Sequence, residues 1–267
     1  MSNVVFIPTR NRAQLVERVL PKWTEQPIDE LFFVCEKWER GKYRRVAGNH
    51  AEVLVLPKTN QGINYARNWI VTWAAEHGYR KLIMSDDDLF PRPDSDVTRL
   101  MAFDSVPTLG LGIMLPFYGL MFGNDTVKNS DEPLMSLGGL GKRCFSLDVS
   151  KVLSVGNFDV RLHSGWGDDE LVRQGIAGAQ ATWYVHAGVR GTSIANRHTP
   201  GGLNDLHYED ASRRMDAQYQ CHKIIYKKWG PEFISKPKLN GRLICQWKKM
   251  FDEFIPNWEQ RVTWRSE

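Results

Sequence analysis

Three consecutive carboxylates, Asp86, Asp87 and Asp88, follow directly on the largely apolar run Lys81–Ser85. Like charges this close repel, and a chain keeps them together where a cation or a solvated turn absorbs the charge. Hard oxygen ligands favour Mg²⁺ or Mn²⁺, and Mg²⁺ sites commonly join one or two carboxylates to substrate phosphates. An acidic surface turn is the competing reading of the triplet alone. A second acidic group, Asp168-Asp169-Glu170, follows Gly165-Trp166-Gly167. Glycines let the backbone pass close to a ligand, and Trp166 offers an apolar face for a sugar ring or a base. A helix start there would help keep a carboxylate ionised, although aspartate is also favoured at helix starts as a cap.

These groups need elements to hold them. Lys81–Ser85 reads as a buried strand, and Pro91 and Pro93 are expected to end any regular element beyond it. The triplet then lies where a central strand leaves a sheet, the place where open α/β sheets bind ligands. Upstream, Val4–Ile7, Leu31–Cys35 and Glu52–Leu56 read as strands, and Ala13–Thr24 and Tyr65–His77 as helices. That alternation predicts an α/β fold, a mostly parallel sheet with covering helices. Downstream, strands are expected at Leu109–Phe117, Cys144–Ser146 and Ala181–Val185. A helix is expected from Asp168, and loops at Gly119–Glu132, Phe158–Gly165 and Gly188–Asp205. The spacing of Gly138, Gly139 and Gly141 lacks the lysine and serine or threonine of a phosphate-binding loop, which argues against nucleotide hydrolysis.

With 267 residues, 42% hydrophobic and 25% charged, the chain has the makings of a full globular core. Its net charge of +4 permits an anionic partner without demanding one. The four cysteines are spaced as reduced thiols rather than as a zinc site. No stretch approaches the ~20 apolar residues of a membrane span. The first residues enter a strand without a basic leader, so a cytoplasmic protein is expected.

Three pieces in fixed order carry a resemblance: Pro8-Thr9-Arg10-Asn11-Arg12, then Gly62 to Asn68 leading to Ser85-Asp86-Asp87-Asp88, then Gly165 to Glu170. Together they resemble the nucleotide-sugar-dependent glycosyltransferases of the GT-A fold, over roughly residues 1–205, within an expected domain of residues 1–207. Residues 208–267 are expected to form a helical C-terminal extension. The resemblance implies that Pro8, Thr9, Arg10 and Arg12 line the base and ribose pocket, with Arg10 or Arg12 free to pair with a phosphate. It places Glu36 against the base, leaving the base open, and Arg67 and Asn68 near the diphosphate and sugar. Asp86 and Asp88 become the ends of an Asp-x-Asp motif. Asp88 then contacts the metal, Asp86 the ribose or a metal-bound water, and Asp87 either role if the register shifts. A third metal ligand is expected at His198, with His186 as the alternative. Trp166 would lie along the donor. Asp169 would be the general base of an inverting transfer, and Asp168 would bind donor or acceptor sugar. The implied cofactor is Mn²⁺ or Mg²⁺, and the donor a nucleoside-diphosphate sugar such as a UDP-sugar.

The tail interleaves Lys223, Lys227, Lys228, Lys236, Lys238, Arg242, Lys248 and Lys249 with Tyr226, Trp229, Phe233, Trp247, Phe251 and Trp258. Basic groups can neutralise phosphates and aromatic rings can stack on bases. An amphipathic tail packed on the domain explains the same pattern. The chain is also similar to phage-type glycosyltransferases associated with TET-like oxygenases, which implies a hydroxymethylated pyrimidine in DNA as acceptor. A surface glycan, a lipid intermediate or a protein side chain are the alternatives. A nucleic-acid-binding module on an inactive transferase fold is the reading of another class.

Overall fold

The computed structural model describes residues 2–104, 108–114, 133–136, 143–163, 167, 168, 170, 171, 174, 175, 182–193, 220, 221, 223–225 and 227–229. Strand β1 (Val4–Pro8) is buried at all five positions because parallel neighbours flank it on both sides. Helix α1 (Ala13–Thr24) turns Leu15, Val16, Val19, Leu20 and Trp23 inward, the stripe that a 3.6-residue period creates. Strand β2 (Glu30–Cys35) leads through a short 3₁₀ turn (Lys37–Glu39) into α2 (Arg40–Ala47). Then come β3 (Glu52–Val55), α3 (Ile63–Glu76), β4 (Lys81–Ser85) and β5 (Leu89–Pro91). A 3₁₀ turn (Val97–Met101), β6 (Thr108–Met114), β7 (Pro133–Ser136), β8 (Cys144–Asp148), α4 (Val149–Ser154) and β9 (Thr182–Ser193) follow.

The described strands form one mixed sheet in the order β3-β2-β1-β4-β8-β6-β9-β5, with β7 also paired to β9. The first four run parallel. β8 joins β4 antiparallel, and β6 returns antiparallel to β8 and parallel to β9. The register sets Phe6 of β1 beside Phe32 of β2 and Met84 of β4, so Thr9, Glu36 and Asp86 all emerge at one edge. Phe6 stacks on Phe32 at 5.0 Å between ring centres, and Trp73 of α3 meets both rings edge-on. These aromatic contacts clamp α3 over β1 and β2. The Trp23 indole donates to the Leu89 carbonyl at 3.1 Å, fixing α1 to the strand just after the aspartates.

Several elements depart from the sequence expectation. Helix α2 was not expected, because only Tyr43 and Ala47 are buried among its residues and the apolar stripe is too thin to read. Its presence completes an unbroken β-α alternation through β4. The short strand β5 was not expected, but it ends at Pro91 as the prolines predict; it is an edge strand, where a missing N–H is tolerated. β7 and α4 emerge where no element had been assigned, and β9 runs to Ser193 through residues read as loop. Of the C-terminal extension, the helical residues between 220 and 229 are described, and Cys221 and Ile225 pack against Leu162 in a small second core. Among the described residues no helix is long and apolar enough to cross a membrane.

Candidate active site

Each carboxylate of the triplet is held by a different arginine. Asp87 is buried; it accepts from the Thr9 hydroxyl at 2.7 Å and from Arg12 Nη1 at 3.1 Å. Thr9 gives its one proton to Asp87, so the Tyr43 hydroxyl must donate to Thr9 Oγ1, 2.9 Å away. Tyr43 in turn accepts from the Arg12 backbone N–H at 3.0 Å. The loop after β1 is thus sewn to the triplet and to α2 at once. Burial pushes the Asp87 carboxyl up, against the pull of Arg12 and Thr9.

Asp86 lies 3.4 Å from Arg67 Nη2, and Asp88 lies 3.2 Å from Arg143 Nη1. Burial pushes the Asp86 carboxyl up to about 7, with Asp88, Asp87 and Asp168 adding to the push and Arg67 opposing it. Its side chain keeps 32% of its surface exposed, so the group is crowded but open to solvent rather than sealed in the interior. Three arginines do not fully offset the packed carboxylates. A further positive charge would be stabilised at Asp86 and Asp88, and their hard oxygens suit Mg²⁺ or Mn²⁺. Among the described residues no group of three or more acidic, histidine or cysteine side chains is arranged to hold a metal ion.

Arg67 also joins the two acidic motifs. Its Nη1 pairs with Asp168 while Nη2 reaches Asp86, and its guanidinium lies over the rings of Phe145 and Phe158, 5.4 and 5.9 Å away. A planar fork resting on two aromatic rings holds two carboxylates at a fixed separation, which a lysine could not do. Asp168 is buried, on a helical turn with Gly167 and Glu170. Gly167 is required there: a Cβ would stand 2.0 Å from Asn64 Oδ1 of α3. Gly62 (φ +83°) is required on the other side, where a Cβ would meet the His163 carbonyl at 2.4 Å. The two glycines let the segment after β8 press against the start of α3, bringing Asp168 to the aspartate triplet.

On the nucleoside side, Glu36 accepts from the Asn60 N–H and the Trp38 indole, both at 2.8 Å, and lies 3.7 Å from Arg10 Nε. Arg10 also donates to the Asn60 side chain. Nε and Nη1 of Arg10, and Nε of Arg12, are buried donors with no hydrogen-bond partner among the described residues. Such donors are costly unless something accepts from them, and phosphate oxygens are the natural acceptors. Pro8 ends β1 at this edge. Asn68 fastens α3 to the segment after α4. Its amide donates to the Phe158 carbonyl at 2.7 Å, and its own carbonyl accepts from Asn157 at 3.1 Å.

Trp166, Asp169 and His198 lie outside the described residues, and of His186 only the backbone, in β9, is described. Sequence reasoning missed Tyr43, Arg143 and Glu39. Glu39 accepts from the Asn11 N–H at 2.6 Å and so shapes the loop at a residue with φ +56°. The sequence reading left Lys228 either neutralising phosphates or solvated on a tail packed against the domain; the described part of the tail is packed, and Lys228 pairs with the buried Glu170.

The sheet order, the parallel half-sheet with its carboxylate edge and the antiparallel return define the GT-A architecture. By sequence, the family described as TET-Associated Glycosyltransferase matches residues 3–97. No curated protein matches the chain. Among solved structures it is similar to GalNAc-T7 with UDP, GalNAc and Mn²⁺ (TM-score 0.55, 12% identity, covering 95% of this chain and 54% of that one). It is also similar to the mannosyltransferase PcManGT from Pyrobaculum calidifontis in complex with GDP-Man and Mn²⁺ (0.52, 17%, 74% and 58%). A third is S. aureus TarS (0.51, 14%, 98% and 50%). The chain spans between half and three-fifths of the length of these three structures. At such identities the likeness is one of fold.

Proposed function

We propose that the chain is a metal-dependent glycosyltransferase that moves a sugar from a nucleoside-diphosphate sugar to an acceptor hydroxyl, with inversion. The observation that carries this reading is the Asp86–Arg67–Asp168 bridge, which sets both acidic motifs side by side at the carboxyl edge of the parallel strands. The family match over residues 3–97 and the GT-A fold support it. The unpartnered donors of Arg10 and Arg12 would take the diphosphate oxygens, and Glu36 with Trp38 would border the base. Asp88 and Asp86 would hold Mn²⁺ or Mg²⁺, with His198, or else His186, as a third ligand. Bound there, the cation would neutralise charge on the departing diphosphate. Asp168, fixed by Arg67, would accept from the donor sugar's hydroxyls. Asp169 would take the acceptor's proton as the acceptor oxygen bonds to the anomeric carbon and the bond to phosphate breaks.

The family match favours a hydroxymethylpyrimidine in DNA as the acceptor, with the exposed Lys223 and Lys227 near phosphates. A base in duplex DNA would be reached in the groove or after flipping. The test begins with a thermal-shift panel of UDP- and GDP-sugars with and without Mn²⁺. Wild type should shift with one donor only when Mn²⁺ is present. Asp88→Asn should lose that shift and about 10²–10³-fold in turnover. A donor shift that ignores the metal overturns the assignment of Asp88. Transfer to hydroxymethylated DNA should fall steeply with salt, and salt-insensitive transfer would redirect the acceptor to a glycan, a lipid or a protein.

A further inference from the structure

We propose that the C-terminal segment is a latch on the acidic helical turn, and that Lys228 is its positioning residue. Glu170 is fully buried, two residues beyond Asp168. One of its oxygens accepts from Lys228 and, at 3.2 Å, from the Trp229 indole, while the other accepts from Gln174. Gln174 donates in addition to the Asn157 carbonyl at 2.9 Å, and Asn157 donates to the Asn68 carbonyl at 3.1 Å. Asn68 neighbours Arg67, the residue that grips Asp168. Among the described residues the turn is tied to α3 through Asp168 to Arg67 and through Gln174 and Asn157 to Asn68. A further tie is to the C-terminal segment.

The tie through Lys228 is exposed. Lys228 keeps 31% of its side-chain surface in solvent while Glu170 keeps 1%, so the latch can open from outside. Lys228 also lies 3.9 Å from Asp159. Cys221 and Ile225 seat the same segment against Leu162, one residue from His163, whose carbonyl lies over Gly62. An ionised Glu170 with no cation beside it would be an uncompensated buried charge, and the turn would have to rotate or loosen to hydrate it. Asp169 lies between the two anchored carboxylates in the chain. Rotation of the turn would carry it away from the acceptor oxygen, and small misplacements of a reacting group lower turnover sharply. Lys228 thus acts through Glu170 without touching substrate. This inference rests on the proposed roles of Asp168 and Asp169, although the latch itself is a matter of contacts.

The experiment uses the full chain with Lys228→Met, Lys228→Arg and Glu170→Gln, and with Lys22→Met as a surface-charge control. Amide hydrogen exchange is followed in peptides covering residues 167–175. Lys228→Met should speed exchange there by at least about tenfold and leave peptides of β1 and α1 unchanged. On the donor found in the thermal-shift panel, kcat should fall about tenfold or more with KM for the donor unchanged, and Lys228→Arg should restore it. Glu170→Gln, which leaves no buried charge, should lose less than Lys228→Met, and Lys22→Met should match wild type; a loss at Glu170→Gln equal to that of Lys228→Met would overturn the buried-charge account. Unchanged exchange in 167–175, or a rise in donor KM at constant kcat, overturns the latch. If wild type turns over no nucleotide-sugar, the transferase reading falls, and the exchange data alone decide whether the latch exists.

Discussion

Arg12 and Arg67 answer different aspartates of the triplet and are held in different ways. Arg12 is organised locally by the sheet: Asp87, Thr9 and Tyr43 all belong to elements at or before the exit of β4. Arg67 reaches across the molecule to Asp168, 101 residues away, and rests on Phe145 and Phe158. The first region is a prebuilt cradle whose geometry the fold itself maintains. The second is assembled from distant parts and depends on glycines and on a C-terminal tie. Disturbing the first should cost stability, whereas disturbing the second should cost turnover before stability.

The sharpest way to break this contrast is Arg12→Ala. It leaves Asp87 buried without its cation, and loss of one partner of a buried pair costs about 3–5 kcal/mol. Urea denaturation should read that loss. A destabilisation near zero would mean that the cradle is not held by this pair. Arg67→Lys should instead lower turnover about 10²-fold, because an ammonium cannot fork to both carboxylates. Its urea midpoint should move less than that of Arg12→Ala, and the reverse order would erase the distinction. The smallest expected effect is in pH. The hydrogen bond and charge of Arg161 lower the Asp159 pKa, with Lys228 assisting and burial opposing. A lowered carboxyl pKa contributes stability above its unfolded value of about 3.9, and the contribution is lost as pH falls through the folded value. Wild type should therefore lose more stability than Asp159→Asn below about pH 4, in thermal melts at matched salt. Equal slopes would leave Asp159 out of the second region's support.

The cradle was also the more legible region. Ala13–Thr24 reads as a helix because its apolar residues recur on one face, and the structure has that helix with the same bounds. The triplet's position at a strand exit follows from a run of buried residues ending in charge. Arg143 carries no such signal. It reaches Asp88 because β8 runs antiparallel to β4, an arrangement fixed by pairing between strands that lie far apart in the chain. Tyr43 was hidden in a helix so polar that its periodicity fades. Lys228 was legible as a cation but not as a buried residue's partner, since that depends on where a distant segment packs. Local pattern foretold the parallel half and its carboxylates, and long-range pairing decided which cation answers each of them.

The order of strands along the chain has a consequence for biosynthesis. β1 to β4, with α1 to α3, find their sheet partners within the first 85 residues, so this half can begin to fold while the ribosome is still translating. Asp88 then emerges well before Arg143, and at roughly 5–20 residues per second the interval lasts several seconds. For that time the nascent half-sheet presents an open edge at β4 beside an acidic cluster lacking one of its countercharges. That charge discourages wrong edge-to-edge pairing until β8 arrives.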